Sequence, residues 1–317
     1  MKIIVVGGTG AMGLIFGARL ASFNEVTLFD VNHTAIDAVN SHGAKITNKD
    51  GSVDTITNIT ATSEALSIGV VDLAIVFTKC YNTEEAIMSA LPCIGKNTFV
   101  LSLQNGWGNY EVISQIVNPN QVLVGVSYVS GTTIAPGNAR QVGNPVAFIG
   151  RVGSPADAGV KKIGGLLDQV GIKTTVSDLI LVEVVKKLAL NAATLPTAAI
   201  LRMEAHQLIE NEGTIGAMDD ILNELIHVVA ASGINLDFKE RRTYIHSLLS
   251  NAVGAKGSMF QDVEAMRKTE IDVINGAVVK LGRSADIPTP VNQTFVNIIK
   301  AMESTFPVLK VKAYDKA

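Results

Sequence analysis

Three side chains spaced four apart open the chemical reading of this chain: Lys187, Asn191 and Leu195. On a helix, positions i, i+4 and i+8 share one face. An ammonium and a carboxamide on one line can serve a single small ligand, the first giving a proton and the second orienting the molecule. Taken alone, the line reads more simply as a solvated charge beside a surface amide. The neighbouring Lys186 points about 100° away around the helix, so the spacing to Asn191 selects Lys187. Pro196 limits how far that helix runs regularly. Downstream, Ser258 and Gln261 match a capping box that would start a helix. A serine hydroxyl beside free backbone N–H groups is also a carboxylate receptor. Glu270 is placed three turns deeper in the same helix, where an acid needs solvent or a partner, and Lys187 is the natural candidate.

A second constellation lies at the N-terminus. Gly8, Thr9, Gly10, Ala11, Met12 and Gly13 form G-x-G-x-x-G directly after an apolar run and before a helical pattern. That context is the one a dinucleotide-binding loop requires. The first glycine allows a tight turn, the second admits a pyrophosphate, and the third lets helix and strand pack closely. The helix N-terminus then offers N–H groups and partial positive charge to the phosphates. A glycine-rich turn in some other α/β fold is the competing reading. Asp30 ends the second apolar run, twenty residues after Gly10. An acid there binds the adenosine ribose hydroxyls and repels a 2′-phosphate. The following residues 31–34 supply no Arg or Lys, so NAD (NADH) is favoured over NADP. The bland role for Asp30 is to cap the next turn.

These residues need elements to carry them. Strands are expected at Ile3–Val6, Glu25–Phe29, Leu73–Phe77, Thr98–Leu103, Gln121–Val126 and Val146–Ile149. Helical patterns lie between several of them, over residues 11–22, 35–41 and 83–90, which implies parallel βαβ units. From about Asp178 strand signals vanish, and helices are expected at Leu179–Thr194, Ile215–Ser232, Phe238–Asn251, Asp262–Leu281 and Pro290–Glu303. The fold class is therefore α/β: an N-terminal Rossmann dinucleotide-binding domain over 1–178 and an all-α C-terminal domain over 179–317. The tail, Leu309 to Ala317, reads as a frayed end.

Composition bounds the function. Lys plus Arg total 26 and Asp plus Glu 29, which argues against an electrostatically driven nucleic-acid binder. Cys80 and Cys93 lack metal-ligand spacing, so neither a metal site nor a disulfide scaffold is expected. The apolar run Ile3–Val6 is followed by Gly7, Gly8, Gly10 and Gly13, which suits a signal peptide poorly. The apolar stretch from Leu179 to Leu190 is broken by Glu183, Lys186 and Lys187, so no membrane span is expected. A cytoplasmic protein, forming a homodimer through its long apolar helices, is the expectation.

Over nearly its full length the sequence resembles the ketopantoate reductase (2-dehydropantoate 2-reductase) family. The resemblance rests on the Gly8–Gly13 loop, Thr78-Lys79, the run Leu103 to Gly108, Lys187 to Asn191, Ser258 to Asp262, Thr269 to Gly276 and Pro288-Thr289-Pro290. It implies a Rossmann domain and a helical domain with the active site in the cleft between them. It implies hydride transfer from a nicotinamide to a 2-oxo acid, giving a D-2-hydroxy acid. By position Lys187 matches the general acid, and Asn105 the residue near nicotinamide and substrate. Asn191, Ser258 and Glu270 match substrate-cleft residues, and Lys79 a cofactor-side lysine.

Two departures from the family pattern point the same way. Members that reduce ketopantoate generally use NADPH and carry a basic residue where this chain has Asp30. Their helix commonly reaches an Asn-Pro pair whose Asn binds the hydroxylated substrate, and here the pair is Leu195-Pro196. A site that binds a hydroxyl discriminates strongly, whereas an apolar wall does not. The sequence thus resembles the NAD-dependent D-2-hydroxyacid dehydrogenases of D-mandelate type within the family. In that reading Lys187 protonates the carbonyl oxygen and Glu270 fixes the lysine. Ser258 receives the carboxylate, Asn191 and Asn105 orient the substrate, and Leu195 lines its side-chain pocket. Burial would lower the Lys187 pKa and Glu270 would raise it, and the sequence leaves the winner open. The rival readings are a ketopantoate reductase serving pantothenate synthesis and a non-enzymatic NAD sensor.

Overall fold

The computed structural model describes residues 1–48, 50–143 and 145–314, with side chains to Pro307. They fall into two compact units, Met1–Gln104 with Asn109–Glu183, and Asn105–Gly108 with Val184–Ala317.

The first unit is built on an eight-stranded sheet. Its strands are β1 (Lys2–Val6), β2 (Glu25–Phe29), β5 (Thr60–Thr62), β6 (Leu73–Val76), β7 (Phe99–Ser102), β8 (Val122–Ser127), β11 (Val146–Gly150) and β12 (Lys173–Val176). Their order is β12-β11-β8-β7-β6-β1-β2-β5. Every pairing is parallel except β11 on β8, which runs antiparallel. The helices are α1 (Ala11–Leu20), α2 (His33–His42), α3 (Ala65–Ile68), α4 (Thr83–Ala90), α5 (Asn109–Ser114) and α6 (Ala158–Gln169). β1 shows why its run is wholly apolar. Ile3 and Val5 enter one core with Leu14 and Ile15, while Ile4 and Val6 enter another with Ile87 and Val100. With both faces covered, no polar alternation survives, and each buried side chain contributes about 1.5–3 kcal/mol as an upper bound.

β1 lies between β2 and β6, so the strand order reverses there. Open α/β sheets bind ligands at the carboxyl ends of strands beside such a reversal. The glycine run follows β1, and Thr78-Lys79 follows β6.

A second sheet, β3 (Ala44–Thr47), β4 (Val53–Ile56), β9 (Ser130–Ala135) and β10 (Asn138–Val142), has the order β4-β3-β10-β9. The sequence reading does not anticipate it. Its strands are short and largely polar, and β9 is mostly exposed, so the apolar alternation that marks a strand is faint. It packs on α1, where Gly131 leaves room for Ile15 and Ala11. Nor is α6 anticipated, because its Gly164-Gly165 pair weakens the helical signal. A Cβ on Gly164 would stand 2.6 Å from Val176.

The second unit is helical: α7 (Ile180–Leu201) from Val184 onward, α8 (Glu212–Ala230), α9 (Phe238–Ser250), α10 (Ser258–Glu264), α11 (Asn275–Ser284) and α12 (Pro290–Tyr314). α7 is long and apolar enough to cross a membrane, but two-thirds of that stretch (67%) is buried, and its residues Val185, Leu188, Ala189 and Ala192 form the centre of this core.

Three expectations are corrected. α7 does not end near Thr194 but runs through Pro196 to Leu201. Proline withholds the N–H that would bond the carbonyl four residues back, and the Asn275 side chain supplies a donor to that carbonyl, on Ala192, at 3.1 Å. The single helix expected over Asp262–Leu281 is three pieces: α10, a 3-10 turn at Ile271–Val273, and α11. The chain turns at Met266, whose φ is +50°. The apolar periodicity continues through that turn because the residues remain buried, and periodicity alone does not register a break. Finally, the tail expected to fray from Leu309 is helical to Tyr314, and 315–317 lie outside the described residues.

Candidate active site

In the first unit, each glycine of the loop answers to a different neighbour. Gly7 has φ +75°, and a Cβ on it would meet Thr78 N at 2.8 Å. The left-handed turn thus belongs to Gly7, not to Gly8 where the motif reading puts it. Gly8 is pressed against Val5 O and Leu28, and Gly13 against Gly7 O at 2.5 Å, which brings α1 onto β1. At Gly10 a Cβ would meet only Gly7 O, at an ordinary 3.5 Å. Internal packing therefore does not demand glycine at position 10, whereas a closely approaching ligand does. α1 has no side-chain cap and no acid in its first turn, so no carboxylate of its own competes for the N–H groups of Ala11 and Met12.

Asp30 closes this cradle. Its Oδ2 accepts from Thr9 N at 2.9 Å, and its Oδ1 accepts from Val31 N and Asn32 N at 2.8 and 3.2 Å. The carboxylate does shape the following turn, and it also reaches the glycine loop. Carboxylate oxygens hold about four acceptor sites in all, so capacity remains for ribose hydroxyls. Glycine turn, open helix terminus and aimed carboxylate together fit a dinucleotide. Lys79 follows β6 at the start of a 3-10 turn over Cys80–Asn82. Its backbone is fixed by Gln104, whose Nε2 donates to Thr78 O at 2.8 Å and to Thr83 Oγ1 at 2.7 Å, while Ser102 Oγ donates to Gln104 Oε1.

Asn105, the next residue, belongs to the second unit with Gly106, Trp107 and Gly108. Trp107 N donates to Val273 O at 2.8 Å. Gly106 has φ +85°, and a Cβ on it would come within 2.4 Å of that same oxygen. Asn105 is thereby tied to the segment that carries Glu270.

The remaining expected residues all lie in the second unit. Lys187, Asn191 and Leu195 share α7 at the expected spacing. Asn191 is buried, and Lys187 and Leu195 are half-buried. Burial pulls the Lys187 ammonium down from 10.5 to about 8, outweighing the Glu270 carboxylate, which raises it. Desolvation therefore wins the contest that the sequence left open. Glu270 is itself buried, 5% exposed. Beside it, Thr269 gives both N and Oγ1 to Glu303 Oε1, at 2.8 and 2.7 Å.

Two details differ from expectation. Ser258 is the first residue of α10 and not its cap. Gly257 occupies the cap position, and the Gln261 side chain donates to Lys256 O. Glu270 is not on the helix that Ser258 begins but precedes the 3-10 turn after the break. The structure does bring Gly257, the residue before Ser258, beside Leu195, since a Cβ on Gly257 would meet Leu195 Cδ2 at 2.8 Å. Sequence reasoning does not single out Gly7, Gln104, Asn275 or Glu303. Doubled glycine after a strand signals the first, and the other three become visible only through tertiary partners.

A Rossmann unit with a dinucleotide cradle, joined to a helical unit holding a desolvated lysine and a buried glutamate, defines a class of nucleotide-dependent proteins. The chain belongs to the ketopantoate reductase PanE/ApbA family: the family's model matches residues 4–154 and its C-terminal model residues 180–303. It is 28% identical over 304 residues to the 2-dehydropantoate 2-reductase of Pyrococcus abyssi, covering 96% of this chain and 98% of that protein. It is 27% identical over 308 residues to that of Streptococcus pyogenes serotype M3, covering 96% and 99%. Among solved structures it resembles D-mandelate dehydrogenase in a ternary complex with NADH and anilino(oxo)acetate, at TM-score 0.91 and 28% identity over 97% of this chain and 99% of that one. It also resembles a PanE/ApbA family ketopantoate reductase from Ralstonia eutropha JMP134, at TM-score 0.87 and 25% identity over 97% and 100%.

Proposed function

We propose that this protein is an NAD-dependent D-2-hydroxyacid dehydrogenase that reduces apolar 2-oxo acids, of phenylglyoxylate or branched-chain type, to D-2-hydroxy acids. The observation that carries the reading is Lys187, a desolvated ammonium with a pKa of about 8, on one helix face with Asn191 and Leu195. Gly8, Thr9, Gly10, Ala11, Met12, Gly13, Asp30 and Lys79 would hold the dinucleotide, and Asn105 would serve both cofactor and substrate. When bound, NADH supplies the hydride for the carbonyl carbon. Lys187 hydrogen-bonds the carbonyl oxygen, stabilises its developing charge and delivers the proton. Near neutral pH a lysine of this pKa is still mostly charged, yet it gives up its proton far more readily than an exposed lysine. Glu270 keeps the ammonium in place. Ser258 receives the carboxylate, and Asn191 and Asn105 fix the keto group's orientation.

Leu195 supports an apolar substrate side chain because it offers no hydrogen bond at the Leu-Pro pair and rests against the Gly257-Ser258 end of α10. The solved neighbour with NADH and anilino(oxo)acetate supports the same chemistry. A second reading, 2-dehydropantoate 2-reductase, is favoured by the names of the relatives. A cytoplasmic location and a homodimer complete the proposal, the latter tested by sedimentation of the purified chain. The substrate is tested with a panel of 2-oxo acids under NADH. Faster turnover of phenylglyoxylate or 2-ketoisocaproate than of ketopantoate is expected, and the reverse order decides for the second reading.

A further inference from the structure

α7 contains a proline where its chemistry demands continuity. Pro196 follows Leu195 directly, and the helix nevertheless continues to Leu201. The carbonyl that Pro196 leaves without a helical donor belongs to Ala192, one residue past Asn191 and five past Lys187. Asn275, fully buried at the start of α11, gives one amide hydrogen to Ala192 O at 3.1 Å and the other to Asn292 Oδ1 at 3.0 Å. The orientation of that amide is forced. Asn292 spends its own Nδ2 on Glu224 Oε2 at 2.8 Å and on Ile221 O, so only its oxygen is left to face Asn275. Glu224 in turn accepts from Val291 N and Asn292 N at the start of α12. Asn275 Oδ1, by contrast, is buried with no hydrogen-bond partner among the described residues. A native core gives up one acceptor in this way only where both donors are in demand. The result is a polar chain from α8 through α12 and α11 to the middle of α7.

We propose that Asn275 is a positioning residue. By supplying the donor that Pro196 lacks, Asn275, five residues after Glu270, keeps α7 continuous and holds Lys187, Asn191 and Leu195 in one line. The idea rests on the reading of Lys187 as proton donor. It explains how this helix carries a proline one residue beyond the pocket wall.

The test is a double-mutant cycle between Asn275→Ala and Pro196→Ala, because alanine at 196 restores the missing N–H. Asn275→Ala alone should lower kcat on the order of 10- to 100-fold, with the KM for the 2-oxo acid changing less, as a displaced catalytic group does. The pH at which reduction declines should move with it. Adding Pro196→Ala should return kcat and melting temperature to within about threefold and a few degrees of Pro196→Ala alone, a strong coupling between the two sites. Additive effects overturn the proposal. So does an Asn275→Ala enzyme that melts early while keeping its kcat and pH profile. If Asn275→Ala fails to fold, the double variant must fold, and failure of both places the role of Asn275 elsewhere and overturns the idea. The melting cycle needs no substrate. Coupling there without turnover of any 2-oxo acid overturns the enzymatic reading alone, whereas turnover without coupling overturns the role of Asn275.

Discussion

The Thr9 N–H and Asp30 Oδ2 stand 2.9 Å apart, which joins the glycine loop to the end of β2. The carboxylate is therefore held where the ribose of a bound dinucleotide is expected. Rates with NADH should exceed those with NADPH at equal concentration. Asp30→Ala removes a charged hydrogen-bond acceptor worth about 1.5–3 kcal/mol, so the Kd for NADH should rise roughly 10- to 100-fold. Titration of the nicotinamide fluorescence of NADH reads this directly. Preference for NADPH in the unaltered protein would remove the assignment.

The glycines separate folding from binding. Gly13→Ala places a methyl 2.5 Å from Gly7 O, a clash with backbone that must displace α1, and a loss on the order of 1–3 kcal/mol is expected from overpacking. Gly10→Ala meets no such obstacle. It should melt close to the parent protein yet bind NADH at least tenfold more weakly. Thermal melts beside NADH titrations check both, and a Gly10→Ala protein with undiminished affinity contradicts the cradle.

Leu195 and Gly257 touch, which gives a handle on substrate choice. Leu195→Asn should raise kcat/KM for ketopantoate relative to phenylglyoxylate. A site able to hydrogen-bond a hydroxyl can shift discrimination by factors far above the ~10–200 that a methylene commands. Gly257→Ala would place a methyl 2.8 Å from Leu195 Cδ2, displacing that side chain, and should raise KM for bulky 2-oxo acids first. Competition assays with paired substrates measure both, and an unchanged ratio in Leu195→Asn removes this leucine from the pocket.

Much of this was legible in the residues, for identifiable reasons. β1, β2 and β6 are buried on both faces, so their runs are plain. The lysine line on α7 follows from helical spacing alone. What escaped depends on contacts. The second sheet is too polar and too short to announce itself. Continuity through Pro196 depends on a donor from residue 275, which no local pattern reveals. The broken helix at Met266 escaped because its flanks stay buried on either side of the turn. Gly7 took the turn role assigned to Gly8 because φ is set by how β1 exits under Thr78, and spacing does not encode it.

Reduction and oxidation should show opposite pH dependence. In the proposed mechanism reduction needs Lys187 charged, so its rate should be level at low pH and fall as pH rises through about 8. Oxidation of the D-2-hydroxy acid needs the neutral amine and should rise through the same region. Glu270→Gln removes the charge that raises the pKa, so both transitions should move to lower pH. A shift to higher pH would contradict the attraction assigned to Glu270.

The central claim is that the Lys187 ammonium delivers the proton while NADH reduces an apolar 2-oxo acid. Single-turnover oxidation of bound NADH by phenylglyoxylate, in the parent and in Lys187→Ala, tests it most directly. The account predicts a loss of at least about 100-fold and up to about 10,000-fold, with NADH affinity intact and the fall near pH 8 abolished. A Lys187→Ala protein that turns over at near-parental rate, with the same pH dependence, would contradict it.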